Sequence, residues 1–386
     1  MTKVVYWCPF IEKVATVNSV INSTVSLKKF SKEKYKPLIL NVVGEWNKKK
    51  IFLEEKKIPV VNLTNSSIIE MLPTRGFVWS RLAYFVIFFF SIFKLHKFLK
   101  EAKPDFLVVH LISFIPLLLL ICFKYNTKFI LRISGYPIIN ILRSFLWRRA
   151  NNKLYAIATP TNETRKLLEK NKIFSAHKTK YLPDPVIYIK EINYKNKFQK
   201  QLFEKNFNED KTLLSIGRLT NQKNFEFLID GFNEINKIYP HFNLYILGEG
   251  EKKKLLTRII KEKKLEQKVF LIGYKDNVFR YLKRCKIFIL TSRYEDPGFV
   301  ILEAGFMNKI VLSSNCPNGP AELINHGKNG YLYETNSINS FINTFKEIIE
   351  DSDEIKFRKI VNLKRKTKEF TLFNHYLKFN EILNDH

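Results

Sequence analysis

Short apolar runs alternate with longer, mostly helical stretches along the whole chain. In the first half the runs VVYWCPF, PLILNVV, PDFLVVH, KFILRIS and KLYAIATP are nearly continuous and are separated by basic or polar residues. Runs of this kind predict strands that are covered on both faces. A helix is predicted over 17–30, directly after the first run. The first half is therefore expected to form a parallel sheet with helices packed on it.

The alternation is clearer after residue 211. Each of the strands TLLSI, FNLYILG, VFLIG and IFILTS leads into a predicted helix, and strand IVLSS follows the last of these helices. The helices are predicted near 225–239, 251–264, 277–285 and 299–307. The pattern predicts a second doubly wound α/β domain, in which ligands bind at the carboxyl ends of the strands.

Two domains are also expected from the length, because 386 residues exceed what one hydrophobic core usually organises. The sequence Leu182-Pro183-Asp184-Pro185 marks a junction, since each proline disfavours helix in the residue before it. The predicted domains are residues 1–188 and 189–365, with a cleft between them. The last residues, 366–386, are predicted to form a helix that packs back on the first domain.

The charge of the chain favours an anionic partner. The 65 lysine and arginine residues exceed the 36 acidic ones, giving a formal net charge of +29. Nucleic acid, an anionic membrane surface and phosphorylated substrates all fit such a charge. A bias towards lysine throughout the sequence explains part of the excess equally well. Nucleic-acid binding is the alternative least favoured, because the sequence carries no RNP, zinc-finger or helix-turn-helix signature.

Cysteine usage and the amino terminus indicate a cytoplasmic protein. The four cysteines lie far apart and form no CxxC pair, so neither a zinc site nor a disulfide framework is predicted. The start MTKVVYWCPF lacks a charged leader followed by a long apolar stretch, so no secretory signal is expected.

Two apolar segments raise the question of a membrane. The run 106–123 approaches the length of a spanning helix, but His110, Ser113 and Pro116 interrupt it. It is predicted to be a buried strand followed by a helix rather than a transmembrane span. The stretch 77–100 has an apolar centre too short to span, which suits a helix lying on a bilayer surface or against a core.

Basic residues accompany the apolar centre of 77–100, because Lys94, Lys97 and Lys100 follow it. Basic and aromatic residues also interleave in the sequence RSFLWRR at 143–149. Together these segments are predicted to form a patch that faces an anionic membrane from the cytoplasmic side. The alternative is a basic helix exposed to water.

Candidate chemistry begins in the loop after strand TLLSI, which reads GRLTNQK. Arg218 and Lys223 lie in this loop, just beyond a strand end. Two cations there are able to clamp a diphosphate, the arginine through its planar fork and the lysine as a point charge. The alternative is a pair of exposed charges on a turn. After the next strand, Gly248-Glu249-Gly250 forms a tight loop whose glycines allow close approach of a ligand.

A second group of candidates follows strand IFILTS. Glu295 lies in the loop and Glu303 on the helix that follows, with seven residues between them. The backbone N–H groups of Gly298, Phe299 and Val300 are expected to point from the start of that helix, where a phosphate or a sugar hydroxyl binds readily.

The motifs GRLTNQK, LGEG, EDPGFVILE and NGPAELINHGKNGYLY occur in this order, each after a predicted strand. In these motifs the chain resembles the family 4 retaining glycosyltransferases of the GT-B fold, in which two Rossmann-like domains face a cleft. The resemblance covers 211–335 strongly and the first half only by pattern. It implies that the second domain binds a nucleotide sugar, with UDP favoured, and that the first binds the acceptor.

The resemblance implies a role for each candidate. Arg218 and Lys223 would stabilise the leaving diphosphate, Glu303 would bind the ribose and Glu295 the transferred sugar. Replacing either cation is expected to abolish transfer and leave the fold intact. The implied donor-binding residues are Gly217, Gly248, Glu249, Gly298, Phe299, Val300 and Glu303. The resemblance also implies that no metal or other cofactor is needed, which is consistent with the absence of a DxD-type acidic pair after a strand.

The implied activity is transfer of a hexosyl or N-acetylhexosaminyl unit, with retention, to a glycan or lipid-linked acceptor in cell-surface polysaccharide synthesis, including lipopolysaccharide or capsule. A donor phosphate oxygen would take the acceptor proton in such a reaction. A sugar-nucleotide epimerase of the same fold is the nearer alternative.

The first half departs from the family pattern. The loop 9–16 carries no glycine, where relatives have a glycine-rich loop. Relatives also place a histidine after a strand near the cleft. Here the candidates for acceptor-side residues are Ser134 and Gly135, after strand KFILRI, and His110, which ends strand FLVVH.

Overall fold

A computed structural model describes residues 1–11, 15–64, 77–135, 137, 139–198, 207–295 and 297–385, with only the backbone described at 77–82 and 194–198. The chain divides into two compact units. The first unit comprises Met1–Val186 and Leu372–His386, and the second comprises Ile187–Thr371. The predicted boundaries after residues 188 and 365 differ from these by a few residues. Part of the predicted loop 9–16, residues 12–14, lies outside the described residues.

The first unit is built on a sheet of seven parallel strands in the order β3-β2-β1-β4-β5-β6-β7. Their bounds are β1 (Thr2–Trp7), β2 (Tyr35–Asn41), β3 (Val60–Asn62), β4 (Phe106–Val109), β5 (Lys128–Arg132), β6 (Ala156–Thr159) and β7 (Thr179–Tyr181). The central strands β4 and β6 are buried along their whole length, as their apolar runs predict.

The helices in the described part of this unit before its C-terminal segment are α1 (Ala15–Phe30), α2 (Lys50–Glu55), α3 (Phe77–Ala102), α4 (Phe114–Cys122), α5 (Ile141–Asn151) and α6 (Asn162–Lys170). The segment 106–123 thus forms β4 and then α4, which confirms the prediction of a strand followed by a helix. In the described residues, every helix is too short or too polar to cross a bilayer.

The second unit contains six parallel strands in the order β10-β9-β8-β11-β12-β13. They are β8 (Thr212–Ile216), β9 (Asn243–Leu247), β10 (Val269–Gly273), β11 (Ile287–Leu290), β12 (Ile310–Ser314) and β13 (Tyr331–Tyr333). Its helices are α7 (Ile189–Phe198), α8 (Phe225–Ile238), α9 (Lys253–Glu262), α10 (Phe279–Lys283), α11 (Phe299–Phe306), α12 (Pro320–Leu323), α13 (Ile338–Glu350) and α14 (Asp353–Thr367). The strand order reverses between β8 and β11, which is the position where ligands bind in such sheets. Both units have the predicted α/β fold.

Helix α8 fixes the loop that precedes it. Its apolar residues recur at three- and four-residue spacing and are buried in the core of the second unit: Phe225, Leu228, Ile229, Phe232 and Ile235. Asn224 precedes the helix with φ of 54°, in the left-handed conformation that asparagine tolerates better than most residues. Burial of this apolar face therefore anchors the end of the loop that carries Arg218 and Lys223.

The C-terminal helix, α15 (Leu372–Leu383), packs against α1 in the first unit. Ser23 Oγ and His375 Nε2 are 2.8 Å apart, and Phe379 is buried. Burial lowers the pKa of His375 to about 4, so its imidazole is neutral at physiological pH. The helix predicted from residue 366 begins at Leu372 instead, because residues up to Thr367 belong to α14.

Backbone hydrogen bonds join the loops that follow β8, β9 and β10. Gly217 N donates to Leu247 O at 2.9 Å, and Gly248 N donates to Gly273 O at 2.9 Å. A Cβ on Gly248 would lie 1.8 Å from the carbonyl oxygen of Gly217. Only glycine allows this approach, because its φ of 148° is also outside the region that other residues adopt readily.

We expect Gly248→Ala to lower the free energy of unfolding by about 3 kcal/mol, because the added Cβ forces two backbones apart. Gly327→Ala is the matched control: Gly327 has φ of 76° but nothing within 4 Å of its Cβ position. The free energy of unfolding of the control should fall by only about 1–2 kcal/mol, which is the cost of a positive φ in alanine. Urea unfolding of both variants measures the difference, and equal losses would contradict the role of the close approach.

Candidate active site

Arg218 is the exposed cation of the candidate site. It lies directly after Gly217 in the loop that follows β8. Within the described part of the chain, no hydrogen bond or ion pair involves its guanidinium group. The planar donor fork is thus available to a ligand that carries a bidentate anionic group.

Lys223 ends the same loop, but its charge is largely shielded from water and is paired. Its Nζ lies 2.5 Å from Glu295 Oε1, and the two side chains are only 13% and 6% exposed. The Ser292 hydroxyl donates to the same carboxylate oxygen at 2.5 Å. A buried charge pair is stable only when further hydrogen bonds satisfy it, and Ser292 supplies one here.

Further hydrogen bonds join the loop after β8 to the loop after β11. Arg293 N donates to Gln222 O at 2.8 Å, and Gln222 Nε2 donates to Tyr294 O at 3.0 Å. The Thr291 hydroxyl donates to Lys223 O at 2.9 Å. The two loops therefore form one connected segment of structure at the reversal point of the sheet.

Residues that follow β12 close the other side of Glu295. The backbone N–H of Glu295 donates to Pro317 O at 3.2 Å. Cys316 is buried nearby, and burial raises the pKa of its thiol to about 12, so it stays protonated. A Cβ on Gly319 would lie 2.3 Å from Pro297 O, so only a glycine permits this contact. Asp296 lies outside the described residues.

Helix α11 begins at Phe299, as the motif predicts. Gly298 precedes it with φ of 91°, and Phe299 and Val300 are half-buried in the first turn. The first N–H groups of a helix have no partner within the helix, so they are available to a ligand. Glu303 lies one turn further on, is half-buried and interacts with other described residues.

The glycine-rich loop after β9 places its carboxylate at the surface. Glu249 is half-exposed, and Lys253 Nζ lies 2.9 Å from its Oε1. The backbone carbonyl of Glu249 accepts from Leu219 N at 3.0 Å. The loop is thereby held against the segment that carries Arg218.

The sequence prediction missed one polar cluster at this site. Asn224 is buried, donates from Nδ2 to Asn336 Oδ1 at 2.9 Å and accepts from Arg293 at 3.1 Å. Ser292 was also missed as a partner of Glu295. The only local signal for this cluster was the asparagine directly after Lys223. The partners of Asn224 come from distant parts of the chain, so the sequence does not show them.

The acceptor-side candidates belong to the first unit. His110 Nδ1 lies 3.3 Å from Ser134 Oγ, and burial, with smaller contributions from Arg132 and His375, lowers the pKa of the His110 imidazole well below its usual range. The imidazole is therefore neutral. His110, Ser134 and Gly135 all line a cavity of 810 Å³ within this unit.

No group of three or more His, Cys, Asp or Glu side chains among the described residues is placed to hold a metal ion. The cysteines are free, with Cys8, Cys285 and Cys316 buried and Cys122 exposed.

Known proteins share both the sequence of the second unit and the fold of the chain. Residues 197–368 match the family described as glycosyl transferases group 1. An uncharacterized glycosyltransferase of Methanocaldococcus jannaschii, MJ1059, is 31% identical over 250 residues, which are 60% of this chain and 61% of the relative. The chain thus spans about three fifths of that relative's length.

A second relative is the N-acetylgalactosamine-N,N'-diacetylbacillosaminyl-diphospho-undecaprenol 4-alpha-N-acetylgalactosaminyltransferase of Campylobacter jejuni. It is 34% identical over 160 residues, 42% of each chain.

Solved structures match over the full length. Anabaena Alr3699/HepE, solved with UDP and glucose, has a TM-score of 0.75 at 17% identity and 100% coverage of both chains. TarM has a TM-score of 0.76 at 14% identity, with coverage of 100% of this chain and 99% of TarM. These similarities show that the fold is that of the GT-B glycosyltransferases. The match to the glycosyl transferases group 1 family covers residues 197–368, which is a little less than half of the chain.

Proposed function

We propose that this protein is a retaining glycosyltransferase that moves a hexosyl or N-acetylhexosaminyl unit from a nucleotide sugar, with UDP favoured, to a glycan or lipid-linked acceptor. The observation that carries the proposal is an exposed arginine beside a buried lysine at the reversal point of a glycosyl transferases group 1 sheet. The product would contribute to cell-surface polysaccharide.

The two cations have different roles in this proposal. Arg218 binds the diphosphate through its fork and stabilises the negative charge that grows as the bond to the sugar breaks. Lys223 shares its charge with Glu295, so the pair together is neutral and Arg218 supplies the net positive charge. Lys223 Nζ has two further N–H donors, which the ion pair aims and holds in place.

The carboxylates and backbone groups position the rest of the donor. Glu295 Oε1 accepts from Lys223 and Ser292, which leaves Oε2 for a hydroxyl of the transferred sugar. Glu303 accepts from the ribose, and the N–H groups at the start of α11 bind phosphate or sugar oxygens. Gly217, Gly248 and Glu249 form the backbone surface beside the nucleotide.

Neither a metal nor another cofactor enters the proposed reaction. Arg218 provides the positive charge that a divalent cation supplies in other phosphate sites, and Lys223 adds N–H donors. The acceptor oxygen bonds to the anomeric carbon from the same face from which the diphosphate leaves, so the anomeric configuration is retained. An oxygen of the leaving diphosphate takes the proton of the acceptor hydroxyl.

The ligands and names of similar proteins support a nucleotide-sugar donor and a lipid-linked or glycan acceptor. The structure of Anabaena HepE holds UDP and glucose. The Campylobacter jejuni relative is named for a diphospho-undecaprenol-linked acceptor, and another, LpsE of Rhizobium meliloti, for lipopolysaccharide core biosynthesis.

A membrane surface is the proposed place of action. Helix α3 buries Ala83, Ile87, Ser91, Leu95 and Leu99 in the first unit. At four-residue spacing it exposes what we call the aromatic stripe, Phe85, Phe89 and Phe93, which are 63%, 66% and 78% exposed. Exposed Lys94, Lys97 and Lys100 follow in the same helix. Such a face suits the cytoplasmic surface of an anionic membrane, where the protein would be peripheral.

We expect Arg218→Ala to lower kcat by about 10²–10³-fold, because the positive charge that stabilises the leaving diphosphate is lost. Arg258→Ala removes an exposed arginine of the same unit that pairs with Glu262, and should leave transfer unchanged. Transfer of labelled sugar from UDP-sugars measures both. Wild-type turnover in the Arg218 variant would remove the central assignment, and release of a free epimerised sugar without a glycoside would favour an epimerase.

Because Lys223 is buried, Lys223→Ala should reduce stability as well as transfer, contrary to the expectation from sequence. The unpaired carboxylate of Glu295 would cost about 3–5 kcal/mol. The double variant Lys223→Ala/Glu295→Gln removes the uncompensated charge, so it should recover part of the thermal stability and none of the activity. Calorimetry and a transfer assay separate the two effects. Equal stability of the single and double variants would contradict the buried pair.

Binding to vesicles of phosphatidylglycerol tests the membrane proposal. We expect Phe93→Asp to weaken binding about tenfold or more, because a phenylalanine that enters the bilayer contributes about 1.5–3 kcal/mol. Phe357→Asp is the matched control, since Phe357 is 67% exposed on α14, in the second unit. Co-sedimentation measures both variants. Equal binding by the wild type and both variants would count against the aromatic stripe.

A further inference from the structure

The 810 Å³ cavity of the first unit lies between helices and strand ends and has the size of a small-molecule pocket. Its walls come from α3, α4, α5 and the loops that follow β4 and β5. The apolar side chains of the wall come mainly from the helices and include Tyr84, Phe114, Leu118, Leu142, Leu146 and Trp147. An apolar ligand would therefore gain from entering it.

The polar part of the cavity lies where the sheet binds ligands. His110 and Ser134 follow β4 and β5, and the carboxyl ends of parallel strands are the usual ligand sites. Arg132 also lines the cavity, but its guanidinium lies 2.9 Å from Asp184 and donates to Leu182 O. A neutral imidazole and a hydroxyl remain as hydrogen-bonding groups for an uncharged or anionic head group.

The charge of the wall favours an anion. The described residues that line the cavity include Arg132 and Arg143 and no aspartate or glutamate. Arg143 is at the start of α5, with its guanidinium 5.6 Å from the centre of the Trp147 ring. Arg143 is exposed, so an anion is able to reach it, and partial burial lowers the pKa of its guanidinium. Arg148 and Arg149 are exposed further along the same helix.

The mouth of the cavity exposes apolar groups to water. Leu142 is 78% exposed, Phe145 58% and Tyr84 43%, and all three line the cavity. Ile141, next to them, is 92% exposed. A contiguous apolar surface of this kind marks a binding site for an apolar partner. Tyr84 lies on α3, the helix that also carries the aromatic stripe.

We propose that this cavity holds the hydrocarbon chain of a lipid-linked acceptor, with the lipid phosphate against Arg143 and the sugar end towards His110 and Ser134. The proposal rests on the proposed function and narrows its acceptor class, since it excludes a free glycan as the natural acceptor. A single chain with an anionic head matches both features of the wall, its apolar helices and its arginines. Binding to a bilayer surface alone would not require a cavity inside the unit.

Isothermal titration of the full-length protein with farnesyl phosphate tests the proposal. We expect binding of farnesyl phosphate and of decyl phosphate, weaker binding of farnesol, and none of inorganic phosphate. Leu118→Trp and Leu146→Trp fill the cavity and should weaken farnesyl phosphate binding at least about tenfold. Leu118→Met conserves volume and should keep the affinity of the wild type. Arg143→Gln should weaken farnesyl phosphate and leave farnesol unchanged.

Two further variants separate the cavity from the surface and from misfolding. Phe93→Asp alters the aromatic stripe outside the cavity wall, so it should lose vesicle binding and keep farnesyl phosphate binding. Leu142→Asp changes an exposed residue at the mouth, so it should fold normally and still weaken farnesyl phosphate binding. Equal affinity of wild type, Leu118→Trp and Leu142→Asp, or equal binding of inorganic phosphate, would overturn the proposal.

Thermal stabilisation of the protein by UDP measures ligand binding to the second unit, independently of lipid binding to the first. If UDP and UDP-sugars fail to stabilise the wild type, the donor part of the proposed function fails while lipid binding can still be measured. If Leu118→Trp keeps UDP stabilisation and loses transfer only to lipid-linked acceptors, the cavity assignment is supported.

Discussion

Parallel pairing of β8 with β11 places the loops that follow these strands at one edge of the sheet, and the ion pair of Lys223 with Glu295 joins them. The two residues are 72 positions apart in the chain, so no local preference brings them together. Burial removes water from both charges, which is costly unless each charge is satisfied. The Ser292 hydroxyl and the backbone bonds between the loops meet that requirement. The rest of the candidate site is built around this connected segment.

The ion pair between Lys223 and Glu295 also makes Lys223 different from Arg218, although the two cations look equivalent in the sequence. Lys223 is neutralised and held, whereas Arg218 stands exposed beside it without a partner in the described residues. A guanidinium of this kind offers a planar donor fork that fits a bidentate anionic group such as a diphosphate. The pairing of Lys223 thus leaves Arg218 as the exposed charge of this loop.

The candidate site of the first unit is apolar rather than charged. Its helices expose apolar side chains and enclose an apolar cavity. Helix α3 is apolar on two sides, so one side packs in the core and the aromatic stripe stays exposed. The sequence prediction offered a bilayer surface or a core for this helix, and the structure packs one face in the core and leaves the other exposed. His110, predicted from its position at a strand end, is buried and neutral beside Ser134. Its neighbours Arg143 and Trp147 line the same cavity because the topology brings α5 beside the ends of β4 and β5.

The sequence by itself determined the α/β class, the strands, the strand followed by a helix at 106–123, the loops that carry Arg218 and Glu295, and the helix that carries Glu303. Hydrophobic period and motif spacing are local properties, so one chain segment is enough to reveal them. Only the tertiary structure decided that Lys223 is buried against Glu295, that Asn224 and Ser292 support the site, and that α3, α4 and α5 enclose a cavity. These features depend on burial and on neighbours that are distant in the chain. No local pattern encodes which side chains meet at a shared sheet edge, because strand order and packing decide it.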